Sequence, residues 1–228
     1  IQQLPQIIGA QRIGTPGETG HAAIRAIAKE KGAAAMAAAK AEKKPEGLAQ
    51  KAMKQAAGNA SDQVVAGVTL WQEIGGLIGR FLLAVLAVVI ISRRTLFRVF
   101  QIPSLLFVPL FFWWVSGQLA DASSLGLIKA GIFVAGVLTV AQFSFWGNYI
   151  PLVFPVHLRG TGESFAANIG GRVFGTSAAW VTLTLSAATP PNPARIAWTA
   201  AAVAGAAALV GAIVTRWLPE PRKAELPD

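Results

Sequence analysis

Long apolar runs separated by short polar connectors occupy the last two thirds of the chain. A helix needs roughly 20 apolar residues to cross the hydrocarbon core of a bilayer, and several consecutive runs of this kind exceed what the core of a soluble protein requires. The pattern therefore predicts an all-α fold, a polytopic membrane helix bundle over residues 67–217. Its five full spans cover about residues 68–91, 100–115, 127–156, 164–187 and 197–217.

The third apolar run is longer than a straight crossing requires. Gly147, Asn148 and Pro151 lie near its end. Proline and glycine interrupt or weaken helical hydrogen bonding, and membrane helices often kink at such residues. We therefore predict a break or a kink close to this end of the third span.

The first 66 residues follow a different pattern. Residues 1–10 are apolar but too few to cross a bilayer, so we expect the tail of a transmembrane helix that begins upstream, and a chain that is a fragment. Residues 11–66 are rich in Ala, Lys, Glu and Gln, which favour helix, and are interrupted by TPGETG and KPEG. They predict an extramembrane helical excursion of two modest helices with a turn near Pro45. Its thin, alanine-rich apolar stripe leaves two roles open, a mobile solvated segment or a module that docks a partner.

Charge is concentrated in that polar excursion and at the edges of the apolar runs. The formal net charge is +9, although only 14% of the residues are charged. Positive charge in these places fits anionic headgroups and membrane topology better than nucleic acid. Arginines cluster in the connectors 92–98 and 157–163 and at the C-terminal end. The positive-inside rule therefore places these connectors and the tail 218–228 in the cytoplasm, and the segment 11–66 outside.

Two spans carry ionisable side chains at depth. Glu73 and Arg80 are seven residues apart on one face of the first span, about 10.5 Å along the helix. Asn168 and Arg172 share a face of the fourth span at i, i+4 spacing. Because a charge facing lipid costs several kcal/mol, we expect these side chains to face protein or water. They can line a substrate pathway, or form ion pairs that only fix helix packing.

The connector before the fourth span predicts a tight turn at the membrane surface. Gly160 and Gly162 permit a sharp reversal of the chain. Glu163 lies near the start of the next helix, where it complements the helix dipole. An ion pair of Glu163 with Arg159 or Arg93 could latch two helix ends in one conformation, at about 0 to 1 kcal/mol for an exposed pair.

Two pairs of glycines have the G-x-x-x-G spacing that lets membrane helices approach closely. Gly75 and Gly79 form the first pair, and Gly171 and Gly175 form the second. Packing is the predicted role of all four residues.

Chemistry that would identify an enzyme is missing from the sequence. The chain has no cysteine, which excludes disulfides and thiolate metal sites. Its two histidines, His21 and His157, lack ligand spacing, and no serine has a neighbouring histidine and acid. No G-x-x-x-x-G-K-[ST] phosphate-binding motif occurs. The sequence therefore predicts a protein that is not an enzyme and uses no cofactor or metal.

The stretch FPVHLRGTGESFAANIGGR, residues 154–172, resembles the connection between the tenth and eleventh helices of major facilitator superfamily (MFS) transporters. Residues 75–98, GGLIGRFLLAVLAVVIISRRTLFR, are similar to the eighth helix and its cytoplasmic loop in that family. The resemblance extends over residues 68–217. It implies the C-terminal half of a twelve-helix fold, whose partner is the missing N-terminal half of the same transporter, and alternating access to a cavity between the halves. The implied substrate or proton-coupling residues are Glu73, Arg80, Gln142, Asn148, Asn168 and Arg172, and the implied loop and gating residues are Arg93, Arg94, Arg159, Gly160, Gly162 and Glu163.

The function that this resemblance implies is secondary active transport of a small metabolite. Basic groups at depth favour an anionic substrate, such as an organic acid or a sugar derivative, and Glu73 could carry a proton in symport. We expect the bacterial inner membrane as the location, with a cytoplasmic C-terminus. The alternative is a non-transporting receptor or assembly subunit that binds a partner through the long polar segment.

Overall fold

A computed structural model of the chain describes residues 4–9, 20–187 and 192–219, and the regular structure of these residues is entirely helical. Short 3₁₀ turns, Ala122–Ser124, Ile150–Leu152, Val156–Leu158 and Thr215–Trp217, and a π-helical turn at Ala166–Gly170 join or extend the α-helices. The α-helices are α1 (Leu4–Ile8), α2 (Ala22–Ala41), α3 (Glu46–Val89), α4 (Arg93–Gln118), α5 (Leu125–Tyr149), α6 (Arg159–Phe165), α7 (Gly171–Ser186) and α8 (Pro193–Val214).

Local sequence explains where several of these helices begin. Ser92 caps α4, because its side chain accepts a hydrogen bond from the backbone N–H of Thr95 at 3.2 Å. Asn192 caps α8 in the same way, from the N–H of Arg195 at 3.1 Å, and Pro193 occupies the first turn. Both arrangements satisfy N–H groups that have no partner within the helix.

Four helical segments are long and apolar enough to cross a membrane: Glu46–Val89, Arg93–Gln118, Ala122–Leu152 and Pro193–Trp217. The prediction of an all-α protein with membrane-spanning helices is confirmed at this level. The fourth predicted span, residues 164–187, is not among the four. It is divided into α6, the π-helical turn and α7, and Arg172 and several Gly, Ser and Thr residues dilute its apolar character. The span at residues 164–187 and the MFS arrangement stay predictions.

The helix α3 is continuous across the predicted start of the membrane domain. It has 44 residues, about 66 Å at 1.5 Å per residue, roughly twice the thickness of the hydrocarbon core. The boundary predicted near residue 66 is therefore not a break in the backbone. The helix continues there because alanine, glutamine and lysine favour helix, and the apolar residues that follow favour it too.

The N-terminal half of α3 packs against α2 as an antiparallel hairpin. Gly32 of α2 lies close to Met53 and Ala57 of α3. The connection between them contains Lys43 with a φ of 53° and ends at Pro45, which precedes the first turn of α3. The predicted turn near Pro45 is thus confirmed.

His21 fixes the base of this hairpin to the connector between α4 and α5. Its buried ring places Nε2 at 2.9 Å from Ser124 Oγ, and its backbone N–H donates to the carbonyl of Ile8 at 2.8 Å. Nδ1 accepts the backbone N–H of Ala23 at 3.3 Å and so caps α2. These contacts fit the neutral ring, with the proton on Nε2 donated to Ser124.

Acid is expected to weaken this anchor. Burial lowers the pKa of His21 below its ordinary value of 6.5, Asp121 opposes that shift, and Arg25 adds to it. The folded state then binds fewer protons than the unfolded state, so the stability from neutral His21 is complete above pH 6.5 and declines as the pH falls below it. We expect the melting temperature in detergent to drop between about pH 6.5 and 5, and His21→Asn to have a smaller drop. His157→Asn, at an exposed site, should keep the full drop, and equal pH profiles for all three proteins would contradict this role.

Glycines bring α3 and α5 into close contact. A Cβ added at Gly75 would collide with the backbone of Phe133, and one added at Gly79 would collide with the backbone of Val137. Gly136 of α5 faces the α3 backbone in the same way. The packing role predicted for Gly75 and Gly79 is confirmed.

The second glycine pair has a different environment. A Cβ at Gly171 or at Gly175 would meet nothing within 4 Å. The predicted packing role of these two residues is therefore wrong within the described chain. The helix α7 packs against α8, and the two glycines are not part of that contact.

One end of the bundle collects the arginine-rich connectors and the C-terminal segment. Arg94 Nε donates to the carbonyl of Leu218 at 2.6 Å, and the Tyr149 hydroxyl donates to the carbonyl of Pro219 at 2.8 Å. The hydroxyl of Thr215 donates to Gln101 Oε1 at 2.9 Å in a buried pair. These contacts put the start of α4 and the ends of α5 and α8 on the same side, opposite the hairpin.

The break predicted in the third span is also found at this end. The α-helical part of α5 ends at Tyr149, and a 3₁₀ turn that contains Pro151 follows. Proline has no N–H to continue the helical pattern, which explains the change.

Candidate functional site

A cavity of about 400 Å³ lies between α5 and α7. The helices α4 and α8 pack on each other and contact α5 and α7, respectively, and together with Gln72 of α3 they contribute the other lining residues. The size falls within the range of small-molecule sites in proteins. Its apolar wall consists of Val108, Phe112, Val140, Phe143, Gly175, Ala178, Ala179, Ala200, Val203, Ala204, Ala207 and Ala208.

Five uncharged polar side chains line the same cavity: Gln72, Ser104, Thr139, Gln142 and Thr182. The hydroxyls of Thr139 and Thr182 and the amide of Gln142 each donate to the carbonyl four residues earlier in their own helix, at 2.6, 2.8 and 3.0 Å. These bonds hold the side chains against the helices and leave acceptor lone pairs for the cavity. No charged residue lines the cavity in the part of the chain that the structure describes.

Among the candidates predicted from sequence, Gln142 is the one that lies in this wall. Glu73 and Arg80 are exposed on the surface of α3. Glu73 is nevertheless connected to the cavity, because Gln72 Nε2 donates to Glu73 Oε1 at 3.3 Å and Gln72 is a lining residue.

The candidates on the fourth predicted span do not line the cavity either. Arg172 is exposed at the start of α7, and Asn168 is exposed in the π-helical turn, where Nδ2 donates to the carbonyl of Ser164 at 2.9 Å. The side chain of Asn148 lies outside the described residues.

The predicted loop and gating residues are placed in helix rather than in a tight turn. Gly160, Gly162 and Glu163 all belong to α6, so the predicted sharp reversal is wrong. Gly162 has a packing reason, because a Cβ there would collide with the ring of Phe154. Arg159 Nε donates to the carbonyl of that same Phe154 at 3.3 Å.

The other basic residues of the predicted gate also contact backbone carbonyls. Arg93 Nη1 donates to the carbonyl of Ala87 at 3.5 Å, and Arg94 Nε contacts Leu218 as described above. The latch with Glu163 and its role in gating stay predictions.

Four of the five polar lining residues were not predicted from sequence: Gln72, Ser104, Thr139 and Thr182. Ser104 and Thr182 are almost fully buried although they are polar. A small hydroxyl residue within an apolar run gives only a weak signal, because it also occurs where membrane helices simply pack. The amide of Gln72 was the stronger signal, since glutamine is uncommon in a span without a partner.

No protein-family model, curated protein or solved structure matches this chain. We therefore infer function from the geometry of the cavity and from the residues that reach it.

Proposed function

We propose that this chain belongs to a secondary active transporter that moves a small metabolite across a membrane by alternating access. The observation that carries the proposal is the cavity, which has polar side chains on an otherwise apolar wall and lies among helices of membrane-spanning length. Such a cavity near the middle of a helix bundle is typical of transporter binding sites. The expected resemblance to MFS transporters agrees with this mechanism.

Glu73 is the group that we propose to carry the coupled proton. An ionised Glu73 accepts the hydrogen bond from Gln72, and a protonated Glu73 is a weaker acceptor for it. Protonation therefore frees the Gln72 amide to reorient at the cavity wall. This arrangement links the charge of Glu73 to the shape of the binding site without direct contact between the proton carrier and the substrate.

The charges on α3 support the proposal that further protein or water covers this face of the bundle. Glu73 and Arg80 are exposed in the described chain, and insertion scales assign about 2.5–3.5 kcal/mol to a charge at the membrane centre. In the bilayer they would face further protein or water, as in the second half of a carrier. The expected preference for an anion is not supported by the cavity, since Arg80 and Arg172 lie outside its wall.

Uptake into membrane vesicles that contain the intact protein tests the proposal. A pH gradient of one unit is worth about 1.4 kcal/mol, so one-proton symport accumulates its substrate about tenfold. We expect at least one compound from a panel of labelled sugars, polyols and carboxylic acids to accumulate. Glu73→Gln should abolish accumulation and retain exchange, whereas Glu30→Gln, a change of the same kind at an exposed position of α2, should retain both.

Three outcomes would oppose different parts of this assignment. Unchanged accumulation with Glu73→Gln would remove the proton role from Glu73. Normal uptake of an anion by Arg172→Ala would remove Arg172 from the route. Uptake no higher than in empty vesicles, for the whole panel and with folded protein present, would favour the receptor or assembly subunit.

We further propose that the protein resides in a bacterial inner membrane with the arginine-rich end in the cytoplasm. The support is the common location of Arg94, Leu218 and the end of α5 on one side of the bundle. Short basic connectors face the cytoplasm, which puts the hairpin of α2 and α3 outside.

A further inference from the structure

We infer that the cavity binds an uncharged, hydroxyl-bearing molecule with one apolar face. The inference deepens the proposed function, because it names the substrate class of the same cavity. It depends on three properties of the wall: its lack of charge, the direction of its hydrogen bonds, and the entirely apolar side that α8 forms.

The absence of charge selects against ions. The lining residues of the described chain include neither a lysine or arginine nor an aspartate or glutamate. An ion that bound against this wall would give up part of its hydration without gaining a counter-charge, which is unfavourable. The acid Glu73 follows the lining residue Gln72 in sequence, and its contact is with the Gln72 amide.

The hydrogen bonds of the wall favour a ligand that donates. The hydroxyl protons of Thr139 and Thr182 are directed to backbone carbonyls of their own helices, so these groups present oxygen lone pairs to the cavity. Gln142 adds a side-chain carbonyl, because one of its N–H groups is already bonded to a backbone carbonyl. A ligand with several hydroxyl or amide protons matches such a wall.

Ser104 adds a further hydroxyl to this wall. The residue is only 7% exposed, and it lines the cavity from α4. Because a serine hydroxyl can both donate and accept a hydrogen bond, it can pair with a hydroxyl of the ligand.

One side of the cavity, the one formed by α8, is entirely apolar. The hydroxyls and amides come from α3, α4, α5 and α7, whereas α8 contributes only Val203 and alanines, Ala200, Ala204, Ala207 and Ala208. Alanine gives a flat apolar surface. A polyhydroxylated ring or short chain has this shape, with hydroxyls at its edge and C–H groups on its face.

Cysteine accessibility tests the inference without knowledge of the natural ligand. The chain has no cysteine, so a residue introduced by Ala178→Cys or Ala204→Cys is unique within it. The probes are three methanethiosulfonates of similar size, which carry a neutral hydroxyethyl, an anionic sulfonatoethyl or a cationic trimethylammonioethyl group. Labelling is measured on the intact protein in detergent, and each rate is divided by that at Ala120→Cys, an exposed position in a connector.

We expect the hydroxyethyl probe to label both cavity positions about tenfold faster than either charged probe, which corresponds to about 1.4 kcal/mol. Ala206→Cys, on the outer surface of α8, should show no such preference. Equal or faster labelling by the sulfonate would overturn the inference in favour of an anion site, and no labelling by any probe would show that the cavity is closed to ligands. Vesicle uptake remains a separate measurement, so either result can be told apart from a failure of the transport proposal.

Discussion

Gly79→Ala is expected to lower the melting temperature of the purified protein sharply and to leave much of it aggregated. The new Cβ would collide with the backbone of Val137 in α5, which cannot move aside as a flexible side chain does. The two helices must separate, and overpacking of this kind typically costs about 1–3 kcal/mol and sometimes more. The helix propensity of alanine offsets about 1 kcal/mol of that. Size-exclusion chromatography with fluorescence detection after heating measures the effect.

Gly67→Ala is the matched control for this prediction. Gly67 lies in the same helix, and a Cβ there would meet nothing within 4 Å. Only the gain in helix propensity remains, so this variant should be as stable as the parent or more stable by up to about 1 kcal/mol. Similar melting temperatures for the two variants would show that α3 and α5 do not pack as closely as described.

Ala207→Phe is expected to reduce substrate uptake by about tenfold or more while the protein stays folded. Ala207 lines the cavity from α8 and is itself exposed, so a larger side chain can enter the cavity without displacing the core. A phenyl group would occupy much of the space that a ligand needs. A loss of about 1.4 kcal/mol in the binding free energy already changes the affinity tenfold. Uptake is measured with the compound that the parent protein accumulates best.

Ala206→Phe is the control at the adjacent position. Ala206 is exposed on α8 and does not line the cavity. Because the same volume is added on the outer surface, uptake should stay within about twofold of the parent, as expected for a surface change away from the site. Equal loss in both variants would indicate a general defect of α8, and equal retention would place the transport route elsewhere.

The sequence predicted the turn near Pro45 and the change of helix type near Pro151, because proline has a direct local effect on the backbone. It did not predict that α3 continues through residue 66. The change in composition there marks where apolar residues begin, and both sides of it favour helix. Composition therefore marks where the apolar part of α3 begins, and it does not mark a boundary in the backbone.

The glycine pairs show a second limit. Gly75 and Gly79 have the same spacing as Gly171 and Gly175, yet only the first pair meets a neighbouring backbone. The spacing makes a close approach possible, but the partner helix decides whether one occurs. That partner is set by tertiary packing, which four residues of local sequence do not encode.

Most polar residues of the cavity wall were not predicted from sequence, because uncharged hydroxyl and amide side chains give little functional signal. Charged residues such as Arg172 attracted the functional prediction, since charges are rare within apolar runs. Thr139 and Thr182 bond to their own helices, as hydroxyl residues without a functional role also do. Only the convergence of five helices around the cavity distinguishes them.

Because α3 is uninterrupted, its N-terminal part extends as a rigid rod from the part that packs in the bundle. Residues 46–67 form a rigid arm of about 33 Å, stiffened by α2 and continuous with the segment that holds Glu73. A tilt of about 10° in that segment displaces the far tip of the arm by about 6 Å. A motion too small to detect among the packed helices would therefore be large at Lys43 and Lys44, where a fluorophore could record it from outside the bilayer.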